Sequence, residues 1–199
     1  MDTWEINGYT LEFIEDGHIY LCDGVILPSI TQILKIKFKN KYANVDKATL
    51  QRAAEKGTAV HEAIERYCKT GEESDLPEVR NFKFLQRQYN FNVFENEVPI
   101  ILYKDKKPIA AGRLDLVLVN KNNGEIYLGD IKRTSTLDRH YLAYQLNLYR
   151  IAYEQCYFRH IDGLKGLHLR GNTRKYVDIP VNDGIAWEIV EQYLREVRT

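Results

Sequence analysis

Cysteine is scarce in this chain: Cys22, Cys68 and Cys156 stand far apart, with no CxxC pair. That spacing excludes the disulfide framework of a small secreted domain and reads as reduced thiols in a cytoplasmic protein. Long apolar runs are missing as well. No stretch approaches the ~20 residues that cross a bilayer, so no membrane partner is expected. The opening MDTWEINGYT lacks the basic and apolar regions of a signal peptide. Net charge is absent too, since 28 Lys and Arg balance 28 Asp and Glu. Affinity for a polyanion therefore has to come from local patches or a bound cation, not from a globally basic surface.

What is present suffices for one globular domain: 199 residues, 44% hydrophobic and 28% charged. Residues 1–28 read as a small N-terminal β unit, with turns at Asp16-Gly17 and Asp23-Gly24. Pro28-Ser29 opens a short helix, SITQIL. A helix from about 47 to 69 ends at Gly71, and a second runs from Glu78 to about Tyr89. Three strands follow, with KDKKP and KNNGE as hairpin loops, then a helix over 138–158. LKGLHLR and RKYVDIP form two strands around Gly171-Asn172, and a helix from Asp183 to Val197 closes the chain. The alternation predicts an α/β fold.

The chemistry concentrates between Gly112 and Tyr149, in GRLDLVL, GDIKRT and QLNLY. Successive side chains on a strand point to opposite faces, so Asp130 and Lys132 share one face. Asp115 lies in a second apolar strand, and the hairpin connection brings the two aspartates to neighbouring strands. Their setting, LDLVLV and IYLGDI, would bury both, and a buried carboxylate needs a cation or a donor. Paired carboxylates repel, and a hard divalent ion such as Mg²⁺ or Mn²⁺ relieves that repulsion with oxygen ligands. Lys132 beside such a cradle would orient a water or stabilise charge on a reacting phosphorus. An isolated DxK would by itself be an ordinary surface pair.

The ordered set resembles the PD-(D/E)XK nuclease superfamily and, within it, the RecB-like branch. GRLD at 112–115 resembles the branch's GxxD, GDIK at 129–132 its DxK strand, and Gln145 with Tyr149 its QxxxY helix. Upstream, Gly57-Thr58 and His61 in GTAVHEAIE resemble the helix that supplies a further metal-ligating histidine. The likeness spans roughly residues 28–149. The Pro-Asp pair that names the superfamily is missing, because Leu114 precedes Asp115.

The resemblance implies a nuclease-like sandwich with a mixed central sheet flanked by helices, its core over 47–180 and a C-terminal helix over 181–199. It implies Mg²⁺ or Mn²⁺ held by His61, Asp115, Asp130 and the Ile131 carbonyl, with Lys132 and Gln145 completing the catalytic set. Glu97, Glu65 and Tyr149 are supporting candidates; Glu65, one turn after His61, would accept the other ring N–H. Three scattered cysteines cannot hold the iron–sulfur cluster of some relatives, which takes four.

The activity implied is a DNA exonuclease working on single- or double-stranded ends in phage recombination or replication, in the host cytoplasm if phage-encoded. A recombination or single-strand-binding protein is a candidate partner. The alternatives are a catalytically silent binding module and a structure-specific endonuclease.

For DNA contact the candidates are Arg133 and Arg139, near His140, and the run KIKFKNKYA. There Lys35, Lys37, Lys39 and Lys41 interleave with Phe38 and Tyr42 in a pattern suited to phosphates and bases, or equally to an exposed amphipathic turn. Ala54, Gly57 and Thr58 share the face of His61, and such small residues would let the helix approach the sheet closely.

Overall fold

The computed structural model describes residues 1–39 and 45–197. The N-terminal unit is a four-stranded antiparallel sheet, β1 (Asp2–Ile6), β2 (Tyr9–Ile14), β3 (Ile19–Cys22) and β4 (Val25–Leu27), in that order. All four strands lie within residues 1–28, the span read as a β unit. Gly17 and Gly24 take positive φ at the two expected turns. Ser29 then caps α1 (Ile30–Leu34) in a capping box with Gln32.

Asp46 caps α2 (Lys47–Thr70) by accepting from Ala48 N and Thr49 N, and Gly71 ends it at φ 76°. The next helix, α3 (Pro77–Gln88), begins on proline. Two long strands, β5 (Phe91–Lys104) and β6 (Lys107–Asn120), meet at a two-residue turn where Asp105 and Lys106 both have positive φ. Strand β7 (Ile126–Lys132) follows the KNNGE turn, and α4 (Arg139–Tyr157) crosses over to β8 (Gly163–Arg170), which lies parallel to β7. The antiparallel β9 (Thr173–Ile179) and α5 (Asp183–Val197) complete the chain.

Strands β5 to β9 form one mixed sheet in sequence order. On one face, α4, α5, α1 and the N-terminal sheet share an apolar core that includes Leu146, Ile189, Ile33 and Leu11. On the other face α2 and α3 bury Val60, Ile64, Phe82 and Leu85 against Leu116, Leu118 and Leu167. The fold is thus α/β with a mixed central sheet flanked by helices. Among the described residues no helix is long and apolar enough to cross a membrane.

Gly129, immediately before Asp130 on β7, has no room for a side chain. A Cβ there would stand 3.0 Å from Leu118 Cδ1, 3.2 Å from Leu167 Cδ1 and 3.3 Å from Leu116 Cβ. Gly129→Ala is expected to destabilise the protein by ~1–3 kcal/mol through overpacking. Chemical denaturation measures this directly, and an unchanged midpoint would contradict the tight packing.

Candidate metal centre

Alternation along β7 sends Asp130 and Lys132 to the α4 face, and the structure joins them: Lys132 Nζ lies 2.5 Å from Asp130 Oδ2. Asp130 is 1% exposed, and neither of its oxygens meets a hydrogen-bond donor of good geometry among the described residues. Burial pushes its carboxyl above the ordinary range, Lys132 pulls it back, and the charge of Asp115 pushes it up again. For Lys132, burial disfavours the charge, but Asp130 and Asp115 outweigh it and hold the ammonium above its ordinary value. The ion pair is the state these opposing effects favour at neutral pH.

Asp115 reaches the same place along β6. Leu116 pairs with Gly129, so the antiparallel register continues to bring Asp115 beside Asp130. Its Oδ2 accepts from Ile131 N at 2.7 Å, which fixes the carboxylate, while Oδ1 faces His61 Nδ1 at 3.7 Å.

Glu97 enters from β5. Pairing of Asn96 with Leu116 and of Val98 with Leu114 sets it opposite Asp115. Its φ is +51°, the one positive φ of a non-glycine inside a strand among the described residues. Such a backbone costs on the order of 1–3 kcal/mol and persists where the surroundings enforce it, commonly at functional sites. The result is a carboxylate with Oε1 3.6 Å from His61 Nδ1 and Oε2 accepting from Arg113 Nε at 2.8 Å.

His61 comes from the half of α2 that packs on the sheet, beside the buried Val60, Ala63 and Ile64. Its Nε2 donates to the Ile131 carbonyl at 3.2 Å. The Ile131 carbonyl, Glu97 and Asp115, which its nitrogens face, are all acceptors. Burial alone would depress the imidazole, but Asp115 and Glu97 overcome it and raise the pKa from 6.5 to about 9. The proton sits where a cation would be welcome. One ligand atom each from His61, Glu97 and Asp115 lies within 4.8 Å of the others, a spacing that could hold a metal ion. Asp130 stands outside that trio and is engaged with Lys132.

On α4, Gln145 and Tyr149 are both 5% exposed, and Gln145 Nε2 donates to Tyr149 Oη at 3.3 Å. Gln145 Oε1 is buried without a partner among the described residues. Gln145 also lines a cavity of about 430 Å³ with Lys132, Thr31, Thr134, Ser135 and Thr136. Tyr149 packs toward Gly112, whose missing side chain leaves room for the ring.

Several expected contacts fall elsewhere. Glu65 does not reach His61; it pairs with Lys69 at 2.5 Å, one turn on in the same helix, and Glu97 takes the position beside the ring. Ala54, Gly57 and Thr58 do not seat α2 on the sheet, because the first turns of the helix extend into solvent and a Cβ on Gly57 would meet nothing within 4 Å. Arg133 Nε is committed to the buried Glu78 at 2.9 Å, so it clamps α3 rather than standing ready for a phosphate. Lys37 and Lys39 pair with Glu188 and Glu196 of α5 at 3.5 Å and 3.3 Å. Phe38 is packed among His140, Tyr141 and Tyr144 and is not a free stacking surface. Lys35 and Arg139 are exposed. Lys41 and Tyr42 lie outside the described residues.

Arg113 is the contributor that sequence reasoning passed over. Its Nη1 also lies 3.5 Å from Asp2, and its guanidinium stands 5.3 Å from the Phe13 ring centroid, tying the N-terminal sheet to Glu97. A signal existed: Arg113 and Asp115 are two apart in one strand and so share a face.

No protein-family model and no curated protein matches the chain. Among solved structures, the crystal structure of SSO0001 is similar at 14% identity and a TM-score of 0.48, over 84% of this chain and 74% of that one. Nothing further rests on that likeness.

Proposed function

We propose that the chain is a divalent-metal-dependent deoxyribonuclease of PD-(D/E)XK type, RecB-like and without an iron–sulfur cluster, acting as an exonuclease on DNA ends. The observation that carries this reading is the meeting of His61, Glu97 and Asp115 within 4.8 Å, beside the buried Asp130 and its partly exposed partner Lys132. A nitrogen and several carboxylate oxygens suit Mn²⁺ or Mg²⁺, and the raised imidazole together with the donor-poor Asp130 marks a site with surplus negative charge. His61, Glu97 and Asp115 would hold the ion, with Asp130 and the Ile131 carbonyl adjoining. When bound, the ion supplies Lewis-acid stabilisation of a phosphoryl group and acidifies water.

The chain's own residues do the rest. Ile131 N–H fixes the orientation of Asp115, and Arg113 fixes that of Glu97. Lys132, held by Asp130, presents an ammonium that donates to the attacking water or to a phosphoryl oxygen as charge builds. The hydroxyl-lined cavity beside Lys132 leaves room for a substrate strand.

The test is cleavage of end-labelled single- and double-stranded DNA, linear and circular, in Mg²⁺, Mn²⁺ or chelator. Loss of linear DNA only, and only with metal, is the expected result. Cut circles would make the protein an endonuclease. DNA binding that is unchanged in chelator, with no cleavage under any condition, would replace the enzyme by a binding module.

A further inference from the structure

Strand β8 carries two residues that the metal centre does not use, Gly166 and His168. In the parallel register Asp130 pairs with Gly166 and Lys132 with His168, so these four share one face of the sheet. A Cβ on Gly166 would lie 2.7 Å from Leu142 Cδ2. The start of α4 therefore rests directly on the strand beside the catalytic pair.

His168 is 4% exposed, and its Nε2 lies 2.7 Å from the carbonyl oxygen of Thr134. A carbonyl can only accept, so Nε2 donates in that bond, while Nδ1 is buried without a partner among the described residues. A buried nitrogen left unpaired is costly, and an aliphatic residue would fill the space without that cost. What histidine adds is the bond to Thr134. Thr134 sits two residues after Lys132, in the turn that leads into α4. Within that turn Thr134 Oγ1 donates to Thr136 O at 2.8 Å, and Thr134, Ser135 and Thr136 line the cavity beside Lys132.

We propose that His168 is a positioning residue: its Nε2–H bond fixes the Thr134 carbonyl, and with it the turn that sets Lys132 and the wall of the substrate cavity. The inference rests on the nuclease reading for its kinetic consequence and on the hydrogen bond alone for its structural one.

The experiment compares the wild type with His168→Leu and His168→Gln by steady-state cleavage of linear DNA in Mn²⁺, by thermal unfolding, and by amide hydrogen exchange in chelator. His168→Leu is expected to lower kcat by ~10–100-fold, as loss of a supporting hydrogen bond does at such sites, with KM little changed. Exchange across residues 134–138 is expected to quicken while β8 stays protected. His168→Gln, whose amide N–H can reach the same carbonyl, is expected to recover most of the rate at a similar melting temperature. Wild-type rate and exchange in His168→Leu would overturn the proposal, and so would equal losses in both variants that follow the melting temperature. If the leucine variant does not fold, His168→Phe, with a ring but no donor, takes its place. If the wild type cleaves nothing, the nuclease reading fails separately, and exchange at 134–138 still decides the role of His168.

Discussion

Lys132→Met is expected to lower DNA cleavage by at least ~100-fold, the scale lost when one preorganised donor to developing charge is removed. Methionine keeps the unbranched stem and removes only the ammonium. The partner left behind matters, because breaking a buried pair on one side costs ~3–5 kcal/mol when the other charge stays unpaired. Asp130 escapes part of that by taking up a proton, toward which burial already pushes it. The double variant Asp130→Asn with Lys132→Met removes both charges and is expected to regain stability over the single variant without regaining cleavage. Melting temperature and initial rate, measured on the same three proteins, separate the two effects. A Lys132→Met protein that cleaves at the wild-type rate would end the proposed role of this lysine.

Mn²⁺ affinity is expected to rise about tenfold per pH unit from pH 7 and to level off near pH 9. The sign follows from competition for one nitrogen. Below its pKa of about 9 the imidazole of His61 holds a proton, and the ion must displace that proton to bind there. Above it, nothing remains to displace.

Titration calorimetry in buffers of different ionisation enthalpy reads both the affinity and the proton released, close to one per ion at pH 7. His61→Ala should flatten the slope and weaken binding at pH 9 by ~10–100-fold. An affinity independent of pH from 7 to 9 in the wild type would remove His61 from the ligand set.

In chelator the same linkage acts on stability. His61 has a folded pKa above its ordinary 6.5, so its contribution is fully present below pH 6.5 and is lost as pH rises through about 9. The melting temperature should fall over that window, less so in His61→Ala.

Much of this centre could be read from the chain because its logic is local. Alternation alone joins Asp130 to Lys132, one short turn brings Asp115 beside them, and helical spacing links Gln145 to Tyr149. The caps at Ser29, Asp46 and Gly71 and the glycine turns of the N-terminal sheet are likewise short-range matters of φ, ψ and nearby donors. Glu97 was legible as a supporting acid, but not as the one beside His61. Glu65, one turn away, has the right spacing, but Glu97 wins because β5 turns through a left-handed residue that no propensity would assign to glutamate.

The lysines of KIKFK look like a phosphate patch in one dimension. In three, α5 sets Glu188 and Glu196 against Lys37 and Lys39, over 150 residues along the chain. His168 and Thr134 are joined across a crossover in the same way.

The sequence by itself thus determined most of the elements, their order and which charged side chains are candidates for a common site, since strand period, helix period and turn chemistry act over a few residues. Only the tertiary structure decided which charges are spent on one another and which converge on the site. Those choices depend on distances between groups far apart in the chain, and packing alone sets them.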